Sequence, residues 1–500
     1  MDSKIRLCPN KVVRFLEKAP SEFRKSDIIR FVNENGIKMI NFMYPASDHR
    51  LKTLNFVINS EEYLESILTY GERVDGSSLF PFIEAGNSDL YVIPRFSTAF
   101  VDPFAEVPTL TMLATFYDKE GHRMQSSPDY TLHKAVEEFR KETGLDFYAM
   151  GELEYYVVAD DAGLFQATDQ KGYHESAPFA KFNDFRAKCM VYIAEAGGQI
   201  KYGHNEVGNF TLDNKIYEQN EVEFLPIPAE QAADNLMIAK WVIRNLALRE
   251  GLDVTFAPKI TAGKAGSGLH IHFKLMQGNQ NVMIRDGRLS DEARKAIAGI
   301  LDLAPAITAF GNKVPTSYLR LVPHQEAPTS ICWGDRNRSV LVRVPLGWTA
   351  DGNMCADANP LEQGVPIVPP QKQTVELRSS DSSADIYQLI AGMIVAARHG
   401  FEMADSLKKA EENYVDVNIH DEENSDKLHS LKNLPDSCDA SAKCLQELRG
   451  YFEAKDVFSP QLLDGVIERL LKYNDANLRD KVNASPAAMM NLVSKYWHCG

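Results

Sequence analysis

Charged and metal-binding residue types recur two positions apart along this sequence. The pairs are Glu152 and Glu154, Glu221 and Glu223, His270 and His272, Arg336 and Arg338, and Glu376 and Arg378. Because successive side chains of a strand point to opposite faces, the two members of each pair would point the same way. One such pair is typical of the solvent face of an antiparallel strand. Their recurrence predicts a curled sheet that lines a polar cavity.

The residue types of these pairs fit phosphoryl transfer. Carboxylates with one or two imidazoles suit hard divalent cations, Mg²⁺ or Mn²⁺, better than zinc, which prefers a closed set of His and Cys. Arginines on neighbouring strands suit phosphate and carboxylate oxygens. Together they are what phosphoryl transfer needs, because its catalysis is mostly positioning and charge neutralisation. The segment KAGSGLH (264–270) is either a close backbone approach to a ligand or a plain turn.

Periodic patterns predict the elements that position these pairs. Residues 10–34 carry apolar positions at helical spacing, and 37–58 have the pattern of a hairpin, so a small sheet-plus-helix unit is predicted up to about residue 120. Further helices are predicted at 128–142, 179–197, 228–250, 290–303 and 383–408, and through most of 426–498. The stretch 350–372 is rich in Gly, Pro, Asn and Asp and predicts a long loop.

Bulk composition excludes several classes of protein. A net charge of -15 argues against a nucleic-acid or anionic-membrane binder, because both need a basic surface. The chain has neither a signal-peptide pattern at its start nor an uncharged apolar run of membrane-spanning length. Its seven cysteines are scattered, without a Cys-x-x-Cys, which predicts free thiols in a cytoplasmic protein.

Longer strings make the pattern specific. VDGSS (74–78), GELEYY, GHNEV, QNEVEF, GSGLHIH, RLVPHQEAP, RNRSVLVRVP and TVELR follow one another in this order. In these strings the chain resembles the glutamine synthetases, in particular those of the bacterial class I type, from about residue 30 to the end. The resemblance implies an ATP-dependent glutamate–ammonia ligase of nitrogen assimilation, which makes glutamine, ADP and phosphate through γ-glutamyl phosphate.

The fold implied by the resemblance is of the α+β class. An N-terminal β-grasp-like domain would span residues 1–120 and contain a latch segment at 74–94. A catalytic domain with a curved antiparallel sheet flanked by helices, and with a helical C-terminal tail, would span 121–500. The resemblance further implies a homo-oligomer of stacked hexameric rings, a dodecamer, with active sites between subunits.

The resemblance also implies two metal sites, each with three ligands. The metal near glutamate and ammonium would be held by Glu154, Glu206 and Glu221. The metal at the ATP phosphates would be held by Glu152, His270 and Glu376. Both would be Mg²⁺ or Mn²⁺, with ATP as co-substrate.

The remaining roles implied by the resemblance concern the substrates. The nucleotide phosphates would be contacted by His272, Arg338 and Arg343, and Arg338 would also steady the transferring phosphoryl group. Glutamate would be held by Arg320, Arg378 and the Gly266 backbone. Ammonium would lose a proton to Asp75 in a pocket lined by Ser78 and Glu206. Glu326 would be the flap that closes the site.

Two departures from the family pattern fall near the substrates. Ala265 stands where an asparagine is usual, and Thr374 stands where the class often has an arginine near the nucleotide. Tyr414 lies one place before the position at which some bacterial members are adenylylated, so this control is predicted to be absent.

Three other functions remain open from the residues. The chain could be a γ-glutamyl-amine (polyamine) ligase on the same fold, a catalytically silent nitrogen-sensing relative, or a guanidino-phosphagen kinase. Asp75, Ser78 and Glu206 favour ammonium over a larger amine, and the complete set of metal ligands counts against a silent relative.

Overall fold

The computed structural model describes residues 3–83, 88–322, 327–347, 352–362, 372–419, 423, 430–478, 482 and 486–500. A mixed sheet forms its N-terminal part, and it contains the predicted hairpin. The strands of this sheet are β1 (Met39–Pro45), β2 (Leu51–Val57), β3 (Glu72–Asp75), β4 (Asp89–Pro94), β5 (Phe100–Val101) and β6 (Thr109–Tyr117). Their order is β2-β1-β6-β4-β3, with β5 beside β6, and β1–β6 is the parallel pair among antiparallel ones.

Helices cover one face of this small sheet. They are α1 (Ser3–Arg6), α2 (Lys11–Leu16), α3 (Lys25–Glu34) and α4 (Glu61–Tyr70). Apolar residues of α2, α3 and α4 form one buried cluster with sheet residues such as Phe42 and Phe116. The N-terminal part therefore has its own core, as the helical and alternating patterns of its sequence predict.

A larger sheet and a short two-stranded ribbon follow, and their strands are almost all antiparallel. They are β7 (Asp146–Asp160), β8 (Ile200–Leu212), β9 (Lys215–Phe224), β10 (Ile227–Pro228), β11 (Asp253–Thr255), β12 (Leu269–Gln277), β13 (Gln280–Asn281), β14 (Ile284–Arg285), β15 (Arg288–Leu289), β16 (Trp333–Asp335), β17 (Val342–Val344) and β18 (Val375–Leu377). The order is β16-β17-β18-β12-β7-β9-β8, with β10 and β11 beside β7 and β13 beside β12, while β14 and β15 form a separate ribbon. Only β16–β17 is parallel among the described pairs of this sheet.

Helices accompany the large sheet, and most of them share its apolar core. In the described residues they are α5 (Pro128–Thr143), α6 (Asn183–Glu195), α7 (Ala229–Glu250), α8 (Asp291–Gly311), α9 (Ser317–Arg320), α10 (Met354–Ala358), α11 (Ile386–Glu402), α12 (Ser406–Glu412), α13 (Cys438–Glu453), α14 (Pro460–Leu471) and α15 (Pro486–Lys495). The sheet residues Leu153, Val222, Ile271 and Val375 form one buried cluster with residues of α5, α6, α7, α8, α9, α11, α13 and α14. None of the described helices is long and apolar enough to cross a membrane.

Two glycines let the central helices touch through their backbones. A Cβ added at Gly299 of α8 would lie 2.0 Å from the carbonyl oxygen of Ala396. One added at Gly400 of α11 would lie 1.9 Å from the carbonyl oxygen of Lys295. Only glycine permits this crossing, which fixes the helical layer behind the site.

Three expectations from the sequence need correction. Arg336 and Arg338 do not share a strand: Arg336 has a φ of 58°, and a turn separates β16 from β17. The side chain of Asn337 holds that turn by accepting from the Ser339 amide at 2.9 Å. The predicted helix 383–408 is divided into α11 and α12, and the stretch 350–372 contains the short helix α10; its residues 350–351 and 363–371 lie outside the described ones.

A buried ion pair joins the two parts of the chain. Arg95, which follows β4, donates two hydrogen bonds of 2.8 Å to the carboxylate of Asp234 on α7. Tyr387 on α11 donates to the same carboxylate at 2.7 Å. Because the Asp234 side chain is only 8% exposed, its charge depends on these donors.

We expect Arg95→Met to destabilise the protein. The substitution leaves a buried carboxylate without its cation, which costs about 3–5 kcal/mol. Arg73→Met is the matched control, because the Arg73–Asp89 pair is 3.8 Å apart and more than half exposed, and such pairs contribute under about 1 kcal/mol. Thermal unfolding midpoints of the two variants measure the difference, and equal midpoints would contradict the role of Arg95.

Candidate active site

The concave face of the large sheet lines a cleft of about 2300 Å³. The sequence predicted fifteen site residues, and twelve of them line this cleft. They are Glu152, Glu154, Glu206, Glu221, Gly266, His270, His272, Arg320, Arg338, Arg343, Glu376 and Arg378. These residues come from widely separated parts of the chain, so the sheet brings together what the sequence keeps apart.

Cross-strand register sets the pattern of charges on the cleft floor. His270 lies opposite Glu152, and Glu154 lies opposite Glu221. Glu376 is flanked by His272 on one neighbouring strand and by Arg343 on the other. The alternation predicted for four of the five residue pairs therefore places their side chains in rows across adjacent strands.

One end of the floor holds a tight group of metal-ligand types. His270 Nδ1 lies 2.9 Å from Glu152 Oε2 and 3.4 Å from Glu376 Oε1. One ligand atom from each of these three residues lies within 4.8 Å of the others. Two carboxylates and one imidazole at this spacing fit a divalent cation.

A second group lies at the other end of the floor. Ligand atoms of His204, Glu221 and Glu223 lie within 4.8 Å of one another. Glu154, opposite Glu221, accepts from the Gly268 amide at 2.8 Å, and Glu206 Oε1 lies 4.0 Å from His204 Nδ1. This end therefore offers more carboxylates than the three predicted there.

The carboxylates at the two ends of the cleft floor differ in the direction of their pKa shifts. Burial raises the pKa of Glu154 to about 7, and the nearby Glu206 adds to the rise. Burial and the surrounding carboxylates raise the pKa of Glu221 well above its usual range. At the first end burial acts in the same direction, but the two histidines hold the pKa of Glu152 well below its usual range. The raised pKa values indicate an excess of negative charge at the Glu154–Glu221 end, which a bound cation would offset.

Arginines and a histidine surround the carboxylates of the first end. Arg343 and Arg378 each donate to Glu376 at 3.0 Å. Arg320 donates to the Ser379 carbonyl oxygen at 2.9 Å and lies 3.2 Å from His270 Nε2. These contacts hold the guanidinium groups beside the cleft, where they can meet anionic oxygens.

Two of the predicted residues lie elsewhere, and one is not described. Asp75 and Ser78 are exposed at the end of β3 and do not line the cleft. Asp75 accepts from the hydroxyls of Ser77 and Ser78, both at 2.7 Å, and these bonds lower the pKa of Asp75 to about 2. The predicted flap residue Glu326 lies outside the described residues.

Several residues of the cleft were not predicted from the sequence. Gln219 donates to Glu154 at 2.9 Å and to the Gly266 carbonyl oxygen at 3.0 Å. Lys201 lies 2.6 Å from Glu223, which Tyr202 also contacts. Gln219 is two residues before Glu221 on β9, so the same alternation rule would have found it. No comparable pattern marks Lys201.

Thr374, which departs from the family pattern, contacts a histidine of the cleft. Its hydroxyl lies 3.0 Å from His272 Nδ1, while His272 Nε2 lies 2.8 Å from Glu152. Thr374 therefore orients the imidazole rather than presenting a cation to the cleft.

Comparison with known proteins agrees with this geometry. The family described as glutamine synthetase, catalytic domain, matches residues 125–480, and the one described as glutamine synthetase, beta-Grasp domain, matches 36–119. A glutamine synthetase of Frankia alni is 28% identical over 497 residues, covering 93% of this chain and 97% of that protein. One of Methanococcus maripaludis is 27% identical over 451 residues, covering 88% of this chain and 93% of that protein.

Solved structures share the fold. A cryo-EM structure of Plasmodium falciparum glutamine synthetase has a TM-score of 0.74 at 17% identity and covers 91% of this chain and 97% of its own. A structure described as a GmaS/ADP complex has a TM-score of 0.71 at 19% identity and covers 89% of this chain and 96% of its own. The β-grasp domain and the catalytic domain with its curved sheet are thereby confirmed. With both of its domains matched, the chain belongs to the glutamine synthetase family, whose members are ATP-dependent ligases that use a divalent metal ion.

Proposed function

We propose that the cleft joins ammonia to the side-chain carboxylate of glutamate, with Mg²⁺ or Mn²⁺ and ATP, and that the chain is a glutamine synthetase of the bacterial class I type. The observation that carries this proposal is the convergence of twelve predicted residues on one cleft. Carboxylate, imidazole and guanidinium groups together are suited to neutralising a transferring phosphoryl group.

Two cation sites follow from the two ends of the cleft floor. Glu152, His270 and Glu376 would hold the ion at the ATP phosphates, and Glu154, Glu206 and Glu221 would hold the ion nearer glutamate. The raised pKa values of Glu154 and Glu221 support the second site, because buried carboxylates in excess attract a cation. When bound, the ions would polarise phosphate oxygens and offset charge.

The arginines and His272 would divide the two anionic substrates between them. Arg338 and Arg343 lie at the strand edge near β17, where they and His272 would receive ATP phosphates. Arg320, Arg378 and the Gly266 backbone also line the cleft and would orient glutamate. The γ-carboxylate of glutamate would then attack the γ-phosphate, and ammonia would displace phosphate from γ-glutamyl phosphate. An acyl phosphate requires exclusion of water, which is the role proposed for Glu326.

Asp75 would act on a neighbouring subunit. Its exposed position outside the cleft of its own chain supports a site completed between subunits, in rings of six that stack in pairs. A carboxylate with a pKa of about 2 stays ionised, so it would attract ammonium more readily than it would keep the proton. Ser78 would hold that carboxylate in place.

The activity itself is tested by phosphate release. We expect release from ATP that depends on glutamate, on ammonium and on Mg²⁺ or Mn²⁺. A panel of polyamines and simple amines is the control for the nucleophile. Release with an amine but not with ammonium would instead indicate a γ-glutamyl-amine ligase, and no release with any nucleophile would indicate a silent relative.

The ligand set of the second cation site is tested by two isosteric variants. We expect Glu154→Gln to weaken Mn²⁺ binding roughly tenfold or more, because it removes a charge from the site. Glu223→Gln should change the affinity less than about threefold, since Glu223 is already paired with Lys201. Titration calorimetry with Mn²⁺ measures both. A larger effect of Glu223→Gln would mean that His204, Glu221 and Glu223 form the site instead.

The sharing of sites between subunits is tested by mixing inactive chains. Asp75→Asn and Glu376→Gln should each abolish most glutamine formation. After the two are dissociated and reassembled together at equal amounts, about a quarter of the sites would combine intact residues from two chains. We therefore expect activity to return to about a quarter of wild type. No recovery from a mixture that has reassembled would place Asp75 and Glu376 in the same chain's site.

A further inference from the structure

A second cavity, of about 400 Å³, lies where the two parts of the fold meet. One wall is the turn between β1 and β2 with residues 80–82, and the other walls are the start of α11 and one side of α14. Its volume is within the range of small-molecule sites. It has no lining residue in common with the large cleft.

One side of this cavity is apolar. Phe80 and Phe82 have ring centroids 5.6 Å apart, and Leu462 and Val466 of α14 lie on the cavity's other side. Phe80, Leu462 and Val466 are buried, so the wall is already formed in the folded chain. Such a wall suits an apolar or aromatic body.

The other side carries polar groups that lack partners. Lys313 is only 3% exposed, and its ammonium group donates no hydrogen bond within the described part of the chain. Gln388 is 4% exposed, and its Oε1 accepts no hydrogen bond there either. Buried polar groups are normally hydrogen-bonded. An ammonium group and an amide oxygen that make no hydrogen bond at one cavity therefore indicate a place for a ligand.

Asp385, the acid near Lys313, contacts other groups as well. Asp385 already caps α11 by accepting from the Gln388 amide at 3.1 Å, and its other oxygen lies 3.3 Å from His49 Nδ1. Burial and the charge of Lys313 lower the pKa of His49 to about 3, so this imidazole is neutral. Burial lowers the pKa of Lys313 only to about 8, so it remains a cation at neutral pH.

The charges around the cavity therefore sum to one positive unit. Lys313 and Arg469 are cations, Asp385 is an anion and His49 is neutral. Glu468 and Lys472 also line the cavity, and their opposite charges, 4.0 Å apart, cancel. His49 is held with a φ of 63°, a left-handed conformation that residues other than glycine seldom adopt. Arg469 helps to hold this turn by donating to the carbonyl oxygen of Ser47.

We propose that this cavity binds a small organic monoanion, a carboxylate joined to an apolar or aromatic body of amino-acid size. The carboxylate would pair with the Lys313 ammonium, and the body would lie between the phenylalanines and α14. Binding here does not depend on the function proposed for the large cleft. The ligand would contact both the segment that follows Ser78 and the helices behind the catalytic sheet.

Calorimetric titration of the full chain with phenylacetate tests this site. We expect one phenylacetate per chain, bound at least roughly tenfold more tightly than the uncharged 2-phenylethanol. Lys313→Met should weaken phenylacetate at least about tenfold. Gly465→Leu should do the same by filling the cavity, because a Cβ at Gly465 would lie 3.3 Å from the Phe82 ring. Lys274→Met, a lysine of the large cleft, is the matched control and should leave the affinity unchanged.

Several results would overturn the proposal. They are no measurable binding of phenylacetate, equal affinity for 2-phenylethanol, and displacement of phenylacetate by glutamate with ATP. Undiminished binding to Gly465→Leu would also overturn it. This variant keeps Lys313 and adds a good helix former to α14, so it decides the question if Lys313→Met does not fold.

Discussion

Repulsion among buried carboxylates is the interaction around which this structure is organised. Glu152, Glu154, Glu221, Glu223 and Glu376 lie on one face of one sheet, and each is largely removed from water. Burial disfavours ionisation of these groups, and like charges at such spacing add to the effect, so the pKa of Glu154 and of Glu221 is raised. At the first end, two histidines and the neighbouring arginines hold the pKa of Glu152 and of Glu376 below the usual range, whereas the pKa of Glu154 and of Glu221 at the other end stays raised. A divalent cation is the simplest partner that completes the balance at the other.

The sheet can hold this arrangement because its other face is apolar. Leu153, Val222 and Ile271 alternate with the charged residues and pack against the helices. A slip of one residue between strands would bury glutamates in the core and expose the apolar row, so the register is strongly specified. The close crossing at Gly299 and Gly400 keeps the helical layer behind the sheet in a single position. The same core that stabilises the fold therefore sets the geometry of the site.

The N-terminal part is tied to this scaffold at a few polar points. Asp234 receives donors from Arg95 and Tyr387, and Asp385 faces His49 at the second cavity. In both places a carboxylate on one part of the chain depends on a group from the other. These contacts link the N-terminal sheet to α7 and α11, two of the helices that pack against the catalytic sheet. The exposed Asp75 ends a strand of the same N-terminal sheet and does not line its own chain's cleft.

Strand alternation predicted from the sequence which charged residues share a face, and twelve of the fifteen residues that the family resemblance implied line one cleft. Glutamates and histidines two apart on a strand must share a face, and the ordered strings around them identify the family. Alternation could not show that the segment around Arg336 turns instead of continuing a strand, because the Asn337 side chain competes locally with the ladder. Alternation also could not predict whether Glu206 or Glu223 would share a metal ion with Glu221. That depends on the distances between strands and on the pairing of Glu223 with Lys201. The second cavity arises from segments more than 400 residues apart, Ser47 and Arg469 among them, and only tertiary packing brings such segments together.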